Sequence, residues 1–236
     1  MRIGLIAITV LLTAGCGDNA LTICYLRSDS YEFSRQDRRT IGAIAESVLA
    51  EARRLLPALP ARIEMTVRPG SDVIAETGET ASVTPPDGLV WTVDPTRAGG
   101  VVAVANAWLR ASLLHEFHHL VRSANASPQS IVDHAIFEGM ATVFERDVAG
   151  VAPPWGQYSS VVEQWEGELL QLPTDASRKE WLYDHPDGRR WIGIKVGAFW
   201  VDRARAKSGK SAAELVATPV SEILTLAGVE RQSLIP

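Results

Sequence analysis

The period of the apolar positions changes along this chain, and each change marks a different kind of element. Within "TIGAIAESVLAEARRLL", Ile41, Ile44, Ala45, Val48, Leu49, Ala52 and Leu55 recur at helical spacing, with Thr40 placed to cap the start and Pro57 following the end. In "ARIEMTVRP" the period drops to two: Ile63, Met65 and Val67 alternate with Arg62, Glu64 and Thr66, the pattern of a half-buried strand. Two further strands are expected at "ETASVT" and "GLVWTVD", set off by Gly78, Pro85, Pro86, Gly88 and Pro95. From Val101 onward the pattern is helical for most of its length. The expected fold class is therefore α+β, with a small N-terminal β-sheet subdomain packed on a mainly helical body.

Two of the later helices carry more than packing information. One runs roughly from Val104 to Ser123. At 100° per residue, Trp108, Ala111, His115 and His119 form one stripe, Leu114, Phe117 and Val121 a second, and Leu109, Leu113 and Leu120 a third. A helix that is apolar on every side is buried, so its histidines are interior or line a cleft. The next helix is signalled by "SPQSIVDHAIFEGMATVFERDVAG", with Ser127 as N-cap, Pro128 in the first turn and Gly150 closing the far end. In the middle of its apolar run stands Glu138.

The first sixteen residues follow neither pattern. "MRIGLIAITVLLTAGC" has one basic residue, Arg2, then an apolar run from Ile3 to Leu12 too short to span a bilayer permanently, then small residues. Ala14 and Gly15 before Cys16 resemble a bacterial lipobox, although Thr13 stands where Leu is usual. The organisation that follows is a lipoprotein signal peptide over 1–15, a polar tether over 16–39 anchored through a lipid on Cys16, and a single domain over 40–236. The expected location is the bacterial cell envelope, on its periplasmic or extracellular face, with secretion as the alternative. An acylated Cys16 leaves Cys24 alone; an unmodified one permits a short-loop bridge between the two. Net charge is −5 with dispersed Lys and Arg, which argues against a nucleic-acid partner.

The chemistry lies in "HEFHH". His115 and His119, four apart on a helix, stand one turn above each other and can direct two imidazole nitrogens at one ion, while Glu116 beside them can take a proton from a metal-activated water. Without a metal, three imidazoles and a carboxylate would occupy an apolar interior at considerable cost. A catalytic zinc needs a third protein ligand. The pattern H-E-x-x-H-x-x-G-x-x-H is excluded, because Arg122 and Asn125 stand where Gly and His are required. Glu138, 19 residues beyond His119, is far enough along the chain for a loop and an antiparallel return, and a carboxylate within an apolar helix face calls for a cation or a partner. Asp133 and His134 are rivals for that position, or otherwise partners that orient a ligating histidine.

The HExxH helix with a downstream Glu in "EGMA" resembles a gluzincin metallopeptidase. The doubled "HH", the "FEGMA" helix and the C-terminal "GIKVGAFWVDRARAKSGKSAAELVATPVSEIL" resemble a bacterial family of predicted Zn-dependent proteases with an HE-aromatic-HH motif, over roughly residues 60–226. The resemblance implies a zincin-like domain with one Zn2+ held by His115, His119 and Glu138, Glu116 as general base, and peptide-bond hydrolysis of a peptide or protein substrate. His118 matches the family's extra histidine, in a supporting or structural role. Family members often carry Gly-Tyr-x-x-Gly-Tyr where this chain has Gly193-Ile194-Lys195-Val196-Gly197-Ala198. The oxyanion and substrate candidates are then Tyr158, Tyr183, His185 and Arg190, and "GLVWTVD" is the expected edge strand for an extended peptide. Trp181, Trp191 and Trp200 are expected in the core. The alternative function is a zinc-bound, catalytically weak envelope lipoprotein that binds or scaffolds a partner.

Overall fold

The computed structural model describes residues 20–229 except 126 and 174, so the proposed signal peptide and Cys16 lie outside the described residues. Strands β1 (Leu21–Tyr25) and β2 (Ile63–Pro69) run parallel, which requires a crossover, and helix α1 (Arg35–Leu55) supplies it. The α1 stripe of Ile41, Ala45, Val48, Leu49 and Ala52 is buried as its spacing predicts. Its start is not at Thr40. Ser34 caps the helix: its hydroxyl accepts from the Asp37 N–H at 3.2 Å while Asp37 Oδ2 accepts from the Ser34 N–H at 2.8 Å, a reciprocal capping box. The stretch read as a polar tether thus contains β1 and the first turn of α1, where Arg35, Gln36, Arg38 and Arg39 are exposed and Asp37 is buried at the cap.

Strands β3 (Glu79–Thr84) and β4 (Gly88–Val93) complete a sheet of order β1-β2-β4-β3, with β2 and β4 parallel and β3 antiparallel to β4. This corrects the expected edge. "GLVWTVD" is interior, paired on both sides, and its Leu89, Trp91 and Val93 are buried; β3 is the edge strand beside the helices. Alternation alone does not tell an interior strand from an edge, because it reports faces and not neighbours.

After the sheet, α2 (Gly100–Val104) passes through a π-helical turn, Ala105–Leu109, into α3 (Arg110–Ser123), realising the long buried helix expected there. Next come α4 (Ile131–Ala149), α5 (Val162–Leu170), α6 (Arg178–Leu182), α7 (Ile192–Ser208) and α8 (Val220–Ala227). The N-cap of α4 is Ser130, not Ser127, because only Ser130 has an acid three residues on, Asp133, to complete a capping box. Gly150 ends α4 at φ 69°, as expected. Helices α4 and α7 touch backbone to backbone: a Cβ on Gly197 would stand 1.7 Å from the Ala135 carbonyl oxygen, and one on Gly139 would stand 2.2 Å from the Gly197 carbonyl carbon. Only glycine permits that approach. One buried cluster joins sheet and helices, and a smaller one of Trp155, Leu182, Trp191 and Ile194 lies apart from it. Trp191 therefore belongs to the smaller cluster, Trp200 to the main one, and Trp181 packs partly buried against the main one. Among the described residues no helix is long and apolar enough to cross a membrane.

Candidate metal centre

Helix α3 is buried on nearly all sides, so His115, Glu116 and His119 are held by the packing of Leu113, Leu114, Phe117 and Leu120 around them. The two imidazoles stand one turn apart with ring centres 4.5 Å from each other. Helix α4, pulled in by its glycine contact with α7, carries Glu138 to the same point. Oε2 of Glu138 lies 3.4 Å from His115 Nε2 and 3.3 Å from His119 Nε2, and one ligand atom from each of the three residues lies within 4.8 Å of the others. As hydrogen bonds these separations are at the long limit. As a donor set, two imidazoles and one carboxylate converging on a common space fit a zinc ion with a coordination position to spare. Phe137 stacks on the His119 ring at 4.3 Å and nearly parallel, fixing its orientation.

The electrostatics follow from burial. Glu138 is held well below the usual carboxylate range: burial opposes its charge, but the two imidazoles facing it outweigh that. His115 is raised well above its ordinary value, since hydrogen bonds to Glu138 and Glu145 overcome the effect of burial, whereas burial dominates for His119 and lowers it. A proton on His115 must leave before a metal binds there. Glu116 is pushed up to about 8, first by burial, with the neighbouring carboxylates adding to it. Its Oε2 is buried without a hydrogen-bond partner among the described residues.

Two residues with clear positions were missed in the sequence. Glu145, 1% exposed, accepts from His115 Nδ1–H at 3.0 Å and from Trp155 Nε1–H at 3.3 Å. Glu79, the first residue of β3 and 1% exposed, accepts from Trp91 Nε1–H at 2.8 Å and from the Ser112 hydroxyl at 2.9 Å, tying the edge strand to α3. The signal that could have found Glu145 is the one that found Glu138, an acid inside the apolar run of α4.

The other expected residues separate. Asp133 is engaged at the α4 cap, its carboxylate accepting from the Ser130 and Gln129 N–H groups. His134, half-buried, feels the Glu138 charge but is lowered by burial, and it is not in the ligand cluster. His118 is fully buried with its ring 5.5 Å from Phe144, and burial holds it well below its ordinary value against the pull of the Ala212 backbone, so it is neutral. A cleft of about 590 Å3 opens on His115, Glu116 and Glu138, bounded by β3 residues Glu79–Ser82 on one side and by Tyr183, Trp191 and Ile194 on the other. Tyr183 lines it, raised by burial and by the Glu138 and Glu116 charges. Arg190 lines it too, but its guanidinium is held by Glu76 and Asp184. Tyr158 and His185 do not line it: the Tyr158 hydroxyl donates to Asp202 Oδ2 at 2.7 Å, and His185 pairs with Asp187. Ile194 lines the cleft wall, and Ala198 is fully buried.

Comparison with known proteins adds one finding. The model of a family described as predicted Zn-dependent protease (DUF2268) matches residues 43–225. No curated protein matches the chain.

Proposed function

Since the chain belongs to that family of predicted Zn-dependent proteases, we propose that it is a gluzincin-type zinc metallopeptidase. His115, His119 and Glu138 hold one zinc ion, and Glu116 is the general base. The observation that carries this reading is Glu116 itself. It is a buried carboxylate raised to about 8, with an unpartnered oxygen, one residue from His115 and lining the same cleft as the ligand cluster. A buried carboxylate with a free oxygen beside a two-imidazole, one-carboxylate donor set is costly to maintain and placed to move a proton, and a cation held by that set would favour its charged form.

Zinc, when bound, supplies a Lewis acid that makes water nucleophilic near neutral pH. Glu116 takes the proton from the attacking water and returns it to the leaving amine. Glu145 holds His115 with Nδ1 as the donor, so that Nε2 presents its lone pair to the ion. Tyr183, the candidate hydroxyl that lines the cleft, donates to the oxygen that becomes negative as the carbonyl is attacked. An extended peptide adds to the edge of β3 by main-chain hydrogen bonds. The protein is anchored in the bacterial envelope through Cys16, and the substrate is a peptide or protein.

Ile194 and Ala198, in place of family tyrosines, favour a second reading: a protein that keeps its zinc and binds a partner without turnover. One experiment separates the two. The chain lacking residues 1–16 is assayed for zinc content and for cleavage of a diverse peptide library, beside its Glu116→Gln variant. The first reading expects stoichiometric zinc in both and a drop in turnover of at least about 100-fold in the variant. Equal turnover would sink it, and stoichiometric zinc with no turnover in either would favour the second.

A further inference from the structure

The loop entering β3 and the loop entering α7 meet over the cleft. Before β3, Ile74 and Glu79 form an antiparallel bridge, with the Thr77 and Gly78 N–H groups donating to the Ile74 carbonyl at 3.2 and 2.8 Å. Gly78 takes φ +74° there, a conformation suited to glycine, and Glu76 stands on the rim of this tight turn. Before α7, Asp184 and Arg190 form a second bridge, and the Trp191 N–H donates to the Tyr183 carbonyl at 2.9 Å. Trp191 itself has φ 55°, unique for a non-glycine among the described residues. Such a conformation persists only where its surroundings hold it. Backbone hydrogen bonds within each turn, and the packing around Trp191, therefore hold both in shape.

Two contacts join them. Arg190 pairs with Glu76 through Nη1 and with Asp184 Oδ1 through Nε at 2.8 Å, while its guanidinium lies 4.1 Å over the Trp191 ring. Ile74 packs against the small apolar cluster of Trp155, Leu182, Trp191 and Ile194. We propose that this clasp closes the cleft at the Glu79 end of β3, so that the protein selects short peptides or chain termini over the interior of a long chain.

This deepens the peptidase reading and rests on it. A peptide added to β3 advances about 3.3 Å per residue along the edge. A chain that continues past Glu79 must part the Glu76–Arg190 pair and withdraw Ile74 from its apolar neighbours; a chain that ends there need do neither. Glu76 and Arg190 are each 37% exposed, so the pair by itself shifts an equilibrium by no more than about fivefold. Ile74 adds to that, and the result is a preference.

The test uses a randomised octapeptide pool and a pool of chains of about 24 residues carrying the same randomised centre between Gly-Ser flanks. Binding is read from tryptophan fluorescence in the zinc-loaded Glu116→Gln protein, and cleavage in the native one. The octapeptides should bind at least about fivefold tighter than the long chains. Glu76→Gln should narrow that gap without weakening octapeptide binding, and the Ile74→Ala/Glu76→Gln double variant should remove it; melting curves check that each variant is folded. Equal affinity for both pools in the unclasped and clasped proteins, variants that weaken both pools alike, or no binding of either would overturn the clasp. If the binding preference holds and the native protein cleaves neither pool, the peptidase reading fails and the clasp stands.

Discussion

Nδ1 of His115 lies 3.0 Å from Oε2 of Glu145, two helical turns beyond Glu138 on the same helix. One face of α4 therefore addresses both sides of a single imidazole: Glu138 stands at Nε2 and Glu145 at Nδ1. The same Glu145 oxygen accepts from Trp155 Nε1–H, which fixes the carboxylate from the other side. The tautomer of His115 is thereby set from α4, with Trp155 steadying Glu145.

Glu145→Gln keeps an oxygen acceptor and removes the charge. Zinc affinity should fall by about 10- to 100-fold, as for other carboxylates behind a ligating histidine, while the circular-dichroism spectrum is unchanged. Competition titration with a chromogenic chelator measures it, and an unaltered affinity would show that Glu145 serves packing alone.

Tyr183→Phe removes the hydroxyl that lines the cleft beside Glu116 and Glu138. The expected result is a kcat lower by about 100- to 1,000-fold with KM little changed. Tyr158→Phe is the contrast: it breaks the 2.7 Å bond to Asp202 and should cost about 1 kcal/mol of stability with kcat intact. Steady-state kinetics and denaturant melts on both variants decide the assignment.

Gly197→Ala would place a methyl 1.7 Å from the Ala135 carbonyl oxygen, against backbone that cannot rotate away. It should destabilise by about 3 kcal/mol or more and displace α4, taking Glu138 with it. Gly42→Ala, within α1 and with nothing inside 4 Å of its added Cβ, should stabilise by about 0.5–1 kcal/mol. Thermal melts of the two variants against the parent test the pair.

Burial raises the Glu79 carboxyl above its ordinary value, against the hydrogen bonds from Ser112, Trp91 and Thr77. A folded-state value above the unfolded one means that stability is full below the unfolded value, near 4, and is lost as pH rises through the folded one. Glu79→Gln removes this loss. The stability difference between variant and parent should shift in favour of the variant from pH 4 to pH 7, read from urea midpoints at each pH; a flat difference would contradict it. The Glu79 charge also helps to raise Glu116, so its removal lowers Glu116 and adds to the shift in the same direction.

Much of the site was legible because its chemistry is local. The spacing of His115 and His119 on one stripe needed nothing beyond the helical period, and Glu138 announced itself as an acid in an apolar run. Glu145 carries the same signal, but it adjoins Arg146 and Asp147, so its own burial shows only in the fold, where Trp155 covers it. Ser34 and Ser130, not Thr40 and Ser127, cap their helices because each has its acid at the third helical position, a local cue that outranks the first apolar residue. The edge of the sheet was misassigned because strand order depends on pairing between distant segments.

By itself the sequence determined the α+β plan, the two helices of the site, the histidine pair and the third acidic residue, all of which follow from periods of two or 3.6 and from the cost of burying charge. Tertiary structure decided which strand is left unpaired beside the cleft, that Glu145 stands behind His115, that Tyr183 and not Tyr158 lines the cleft, and that Ile74 and Glu76 reach the loop before α7. Each of these is a contact between segments far apart in the chain. The close approach of Gly139 and Gly197 brings α4 against α7, and pairing between distant segments sets the sheet edge; no local pattern encodes either.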